Sequence, residues 1–444
     1  PLTGWLMQRF GVVRTFVTSV ALFTVASLLC GLAWSLPSLV AFRTLQGLVS
    51  GPMIPGSQAL LLMMFPPAKR GLALALWSVT TLVAPIVGPI LGGYLSDNWS
   101  WPWIFFINLP VGIASSVVCW RALRGSETPT RRIPVDWWGF GLLVVWVGAL
   151  QIMLDKGKDL DWFDSPQIVL LGLVALVGFI AFMIWELTEA HPIVDLSLFA
   201  SRDFTIAVLV MCLGYGLFFG NLVLLPLLLQ TQLGYTATWA GLVAAPSGVV
   251  AVLLAPFIGR ISGRVDARWL VLVALVSFAA SYFMRAGLTP EASFAQFVLP
   301  LLVQGIGMAT FFVSTLAILL HDVPPLRVPS ASGVSNFARI VAGSFAASVV
   351  TTAWDHRTAL HQTRMVEAAT PGAPGFDAAA NALGSVGAGG DAALGVLARQ
   401  IGTQAHFMGV LDICWLSAWL VLALSLLLLF ARRATSHGGA VAAD

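Results

Sequence analysis

Residues 84–95 read APIVGPILGGYL, and they lie inside an apolar run, 71–95, that is long enough to cross about 30 Å of hydrocarbon as a helix. Pro85 and Pro89 each remove an i to i−4 hydrogen bond, so the helix must bend. Gly88 and Gly92 are four apart and share one face, which with Gly93 is smooth enough for another helix to approach closely. Glycine and proline are common in membrane helices, so two readings stand: a structural kink, or a hinge and seal between moving parts.

The rest of the chain repeats the apolar theme. Of 444 residues, 58% are hydrophobic and 10% charged, far below the roughly one quarter usual in soluble domains. Twelve apolar runs follow one another, at about 13–34, 38–64, 71–95, 103–121, 137–154, 166–186, 204–229, 239–258, 270–287, 294–320, 331–354 and 405–431. They are apolar on every face, whereas barrel strands are alternating segments of about ten residues. The fold class is an all-α polytopic membrane protein.

Basic residues are retained in cytoplasmic loops, which orients the chain. With Pro1 inside, fifteen of the 23 Lys and Arg fall on the inner side. Lys156, Lys158 and Arg285 fall in short outer segments, and Arg43 and Arg339 lie within spans. Both chain ends are thereby cytoplasmic. The net charge of +3 records this topology and gives no basic patch for nucleic acid. Cys30, Cys119, Cys212 and Cys414 sit singly in four spans, without the spacing of a metal or redox site. Many tryptophans flank spans as interfacial anchors, Trp99, Trp101, Trp137 and Trp138 among them.

An internal repeat divides the molecule. GWLMQRFGVVR at 4–14 and GRISGRVDARW at 259–269 both lie between spans on the inner side, with Gly4 to Arg9 and Gly259 to Arg264 spaced alike. Two helical halves are the common secondary-transporter plan. The reading is a first half over 1–121, a proline-bearing cytoplasmic linker over 122–136, two inserted helices over 137–186, and a cytoplasmic connector over 187–203. A second half over 204–431, containing an Ala/Gly-rich outer loop at 355–404, and a tail at 432–444 complete it.

Polar residues inside spans are the candidates for chemistry. An arginine at membrane depth costs about 2.5–3.5 kcal/mol on insertion scales, so it requires a partner or a wet cavity. Arg43, in RTLQG, either pins neighbouring helices or tunes proton coupling; Arg339, beside Asn336 in SNFARIVAG, forms a second polar island. Gly47 and Gly51 follow Arg43 on a face suited to helix packing. Gln46, Gln58, Asn108, Asn221, Gln304 and Asn336 are candidate cavity residues. The carboxylates, including Asp97, Asp136, Glu186, Asp355 and Asp412, fall near span ends, and the six histidines are scattered. A membrane-embedded transferase would need them clustered.

These stretches resemble the major facilitator superfamily, and within it the fourteen-helix drug:proton antiporters of the EmrB/QacA type. The inner-loop motif is similar to GWLMQRFGVVR, the arginine motif to RTLQG at 43–47, and the antiporter motif to VGPILGG at 87–93; WPWIFFINLPVG at 101–112 looks like the subfamily's own signature. The resemblance covers essentially the whole chain. It implies two six-helix halves plus two inserted helices, and export of hydrophobic drugs driven by a proton gradient, with no other cofactor. It also implies a bacterial inner-membrane location, with a periplasmic adaptor and an outer-membrane channel as partners. Arg43 would support proton coupling; Pro85, Gly88, Pro89, Gly92 and Gly93 would form the sealing helix; Gly4, Arg9 and Arg264 would form an inner latch; Gln46, Asn108, Asn221, Asn336 and Arg339 would face the substrate. A proton-coupled exporter of one endogenous metabolite is the alternative. The first inner-loop motif has Gln8 where the superfamily usually has an acid. Pro1 opens directly into that motif, so two further helices, one with a buried Asp, are expected upstream.

Overall fold

The computed structural model describes residues 2–66, 69, 73, 77, 80, 87–88, 91–96, 98–130, 134–190, 192–262, 265–321, 323–324, 327–369, 376–379 and 391–430. Helices carry the architecture. In chain order they are α1 (Thr3–Phe10), α2 (Val12–Gly31), α3 (Leu36–Ser50), α4 (Met53–Met64), α5 (Trp103–Phe106), α6 (Asn108–Leu123) and α7 (Trp137–Gly157). There follow α8 (Pro166–Thr188), α9 (Arg202–Thr231), α10 (Ala237–Ile261), α11 (Ala267–Ala286), α12 (Phe294–Leu320), α13 (Val328–Ala368) and α14 (Asp391–Ser425).

Eleven spans among the described residues are long and apolar enough to cross a membrane. The run at 71–95 is only partly described, and Pro85 and Pro89 lie outside the described residues. The crossing Leu36–Met64 is interrupted: α3 stops at Ser50 and α4 resumes at Met53, with Gly51 and Pro52 between. Pro52 has no N–H to continue the ladder.

Helix starts follow local chemistry. Ser35 and Ser38 form a reciprocal capping box at α3, and Asp136 accepts the Gly139 N–H at 2.9 Å to open α7. In hydrocarbon every backbone polar group must be satisfied internally, so such caps matter most where chains enter and leave.

The principal core lies among α9, α11, α12, α13 and α14, where Phe278 and Tyr282 are fully buried and Phe218 stacks on Phe278 at 5.7 Å. Glycines set the closest crossings. A methyl at Gly305 would collide with the Ser247 carbonyl of α10, and one at Gly307 would lie 2.6 Å from the Phe278 ring. A smaller core, Met7, Val13, Ala59 and Leu60, holds α1, α2 and α4 together. The outward faces of the spans stay apolar, as at Val111, Leu173 and Leu253, each more than half exposed and suited to lipid contact.

The inserted pair α7–α8 packs on itself and docks on α13: Ser348 donates to the Leu154 carbonyl at 2.7 Å, and Lys158 pairs with Asp355 at 2.8 Å. The linker is docked too. Glu127 accepts the N–H groups of Val13 and Arg14, and Thr128 accepts that of Val12, capping the start of α2. The connector folds back: Glu186 is buried, accepts the Val194 N–H at 3.1 Å, and Asp195 pairs with Arg327 at 2.7 Å. Both ends of the 355–404 segment are helical, since α13 runs on to Ala368 and α14 begins at Asp391.

Candidate functional site

Three arginines in the spans share one manner of solvation. Arg43 donates to the Gln46 carboxamide oxygen at 3.0 Å and lies over Phe105. Arg339 donates to the Asn336 oxygen at 2.9 Å and lies over Tyr215 at 4.8 Å. Arg285 donates to the Gln304 oxygen at 2.5 Å and to Ser281 Oγ at 3.3 Å, and lies over Tyr282 at 4.9 Å. Among the described residues no carboxylate pairs with any of the three. Amide dipoles and aromatic faces stand where ion pairs are usual.

One of these placements differs from the sequence reading, that of Arg285. Arg43 sits on an exposed helix face, with only Gln46 beneath it buried. Arg285, read as an outer-segment residue, is 4% exposed, because helical side chains lean toward the N-terminus and carry its guanidinium back into the bundle.

The two halves meet at one end. Asn336 on α13 donates to the Gln58 oxygen of α4 at 3.3 Å and to the Ser332 carbonyl at 2.8 Å while its own oxygen holds Arg339. Gln58 is fully buried. Gly4 on α1 abuts Ser330 at the start of α13, where a Cβ would lie 3.1 Å from that of Ser330. Arg9 stacks over Trp5 at 5.3 Å, and Arg264 lies outside the described residues.

The remaining candidates fall into separate clusters. Asn108 donates to Ser27 Oγ at 3.1 Å within the first half, near Cys30 and Gln46. Asn221 donates to Ser417 Oγ at 2.9 Å and accepts from Cys414 within the second half. So the five residues expected to face the substrate divide among three places: Gln46 and Asn108, Asn221, and Asn336 with Arg339. No described atom lies within 4 Å of a Cβ built at Gly47, Gly88 or Gly92, so the close packing read at these faces has no partner among the described residues. Gly93 is half-buried beside Gly92 in the helical stretch 91–96.

Several polar residues escaped the sequence reading. Asp412, read as a span-end acid, bonds His361 at 2.8 Å and lies 3.7 Å from Arg357. Glu127 supplies a carboxylate to the inner loop, where Gln8 replaces an acid. The clue to Arg285 lay in the repeat, for the inner-loop offset of 255 residues places it opposite Cys30, and each half carries a Gln-Gly pair, Gln46-Gly47 and Gln304-Gly305.

The Major Facilitator Superfamily profile matches residues 1–347. The chain belongs to the major facilitator superfamily. It is 47% identical over 440 residues to the multidrug export protein EmrB of Escherichia coli K12, covering 99% of this chain and 86% of that one. It is 44% identical to the fatty acid resistance protein FarB of Neisseria gonorrhoeae, covering 99% and 87%. The solved proton:xylose symporter XylE superposes with a TM-score of 0.56 at 13% identity, covering 96% of this chain and 81% of that one, a likeness of fold. This superfamily member is a multi-pass membrane protein of the EmrB type, with an all-helical fold.

Proposed function

We propose that this protein exports several unrelated hydrophobic drugs or toxic compounds across a bacterial inner membrane, driven by inward proton flow. The observation that carries the reading is 47% identity, along 99% of the chain, to a protein named for multidrug export. Two helical halves that touch at one end through Gln58–Asn336 and Gly4–Ser330 suit a carrier that rocks about its cargo. By the same kinship, a periplasmic adaptor and an outer-membrane channel complete the export path, and the activity is transport rather than catalysis. FarB is named for fatty acid resistance, so long-chain amphiphiles belong in the substrate panel.

Within this reading, Arg43 supports proton coupling, and Pro85, Gly88, Pro89, Gly92 and Gly93 form the seal between halves. Gly4, Arg9 and Arg264 form the inner latch, and Asn336 and Arg339 lie closest to the junction that cargo must pass. Expression in a drug-sensitive host, with a panel of unrelated dyes, drugs and fatty acids, tests polyspecificity. Cross-competition among unrelated compounds is the expected result. Transport of one compound that none of the others inhibits would favour a dedicated metabolite exporter instead. The Arg43→Ala variant is expected to lose substrate-dependent proton flux while still binding drug; unchanged flux would remove Arg43 from coupling.

A further inference from the structure

Glu186 is a carboxyl group only half provided for. It stands near the C-terminal end of α8 and is 4% exposed. Its Oε2 accepts the Val194 N–H at 3.1 Å, and the Ile193 N–H also bonds the carboxyl group. Its Oε1 is buried with no partner at all. A bare anionic oxygen out of water is costly, and the end of a helix adds partial negative charge of its own.

A second carboxylate stands beside it. Asp136 caps the start of α7: Gly139 N–H donates to Oδ1 at 2.9 Å, and Trp185 Nε1–H lies 3.0 Å from Oδ1 and 2.9 Å from Oδ2. Gly139 is what lets the two acids approach. A Cβ there would collide with Asp136 Oδ2 and lie 3.0 Å from Glu186 Oε1, so these oxygens are within about 5 Å of each other, near enough for one charge to oppose the other. Glu189, three residues further on, adds to the negative field. Among the described residues no ion pair reaches Asp136 or Glu186, and no group of three metal-binding side chains includes them.

The two acids are unequal. Asp136 has donors on both oxygens, whereas Glu186 has a bare oxygen inside the fold, so a proton that relieves the pair belongs on Glu186. The segment held by Glu186 leads onward: Asp195, next to Val194, pairs with Arg327 at 2.7 Å, at the start of the helix whose Ser330 and Asn336 meet the first half.

We infer that Glu186, opposed by Asp136, is a one-proton binding site, occupied up to near-neutral pH, whose proton keeps the connector docked on the inserted pair. The site does not depend on the transport reading. An ionised Glu186 must find water, and it reaches water only by leaving this place and releasing Val194.

The test compares wild type, Glu186→Gln and Asp136→Asn as purified full chains in detergent. Infrared spectra at about pH 6 are expected to show a protonated-carboxyl band that Glu186→Gln lacks and that fades in the wild type as pH rises. The native state then carries a proton that the unfolded chain has released, so stability falls as pH rises until Glu186 ionises. Between about pH 5 and pH 8 the wild type is expected to lose about 2 °C or more in Tm relative to Glu186→Gln. Asp136→Asn, which keeps an oxygen for the Gly139 cap but removes the charge, is expected to move the band's fading about one unit toward acid. Amide exchange in the peptide containing Val194 is expected to match in wild type and Glu186→Gln at about pH 6, and to be about threefold or more faster in the wild type at about pH 9. Three results would overturn the assignment: identical carboxyl bands in wild type and Glu186→Gln, which means that Glu186 is ionised and held by backbone N–H groups alone; a titration unmoved in Asp136→Asn; or equal exchange at Val194 at the higher pH. Should Glu186→Gln fail to fold, the titrations of the wild type and Asp136→Asn decide between these outcomes.

Discussion

Asn336 joins the two halves through a single buried side chain. Its NH2 joins Gln58 of the first half to the Ser332 carbonyl, and its oxygen holds Arg339. Truncation to Ala leaves a buried guanidinium and a buried carboxamide short of partners at once. An unsatisfied buried polar group costs about 1–3 kcal/mol, more when charged, so Asn336→Ala is expected to lower the unfolding temperature by several degrees, and far more than Ala at exposed Thr44. A shift no larger than that of Thr44→Ala would show that the network contributes nothing. Arg339 and Asn336 were legible together in the sequence because three residues along a helix is contact distance. Arg285 was not. It stands at the end of its run, where composition reads as interface, and only the packing of α11 on α12 brings it to Gln304. Gln58 likewise meets Asn336 across 278 residues of chain, a pairing that no local pattern encodes.

At the scale of helices, the glycines divide sharply. Gly305 meets the Ser247 carbonyl, a backbone atom that cannot swing aside, whereas nothing described lies within 4 Å of a methyl at Gly47. Overpacking a tight crossing costs about 1–3 kcal/mol, while Ala in place of an open helical Gly gains up to about 1 kcal/mol from propensity. Gly305→Ala is therefore expected to depress folded yield and Tm, and Gly47→Ala to leave both unchanged or raised. The opposite order, measured by size-exclusion yield and thermal unfolding, would contradict these crossings. Helix number and placement were largely readable, because twenty apolar residues in a row admit few alternatives to a membrane helix. Small residues spaced four apart were a poorer guide. The spacing creates a smooth face, but whether another helix occupies it depends on tertiary arrangement, as the contrast between Gly47 and Gly305 demonstrates. The break at Gly51–Pro52 was also missed, since apolar content alone does not register a lost N–H.

For the whole molecule, the question is whether the junction of α1 and α4 with α13 opens during transport. Gly4 and Ser330 are near enough for a reversible cross-link, so the Gly4→Cys/Ser330→Cys variant, on a background lacking Cys30, Cys119, Cys212 and Cys414, is expected to form a disulfide on mild oxidation. Drug efflux should stop in the oxidised form and return on reduction; full efflux through the cross-linked protein would mean that this junction does not part. The family, the halves and the inserted pair followed from motifs that span the chain. The docking of Glu127 on α2 and of the connector on Arg327 did not, because these depend on surface segments whose sequences carry no periodicity. The central claim, proton-driven export of many drugs, is tested most directly in proteoliposomes holding an internal pH dye. Under an imposed proton gradient, each of several unrelated hydrophobic drugs is expected to trigger proton flux that depends on the protein. Proton flux that is the same with and without drug, or drug movement that persists when the gradient is collapsed, would contradict it.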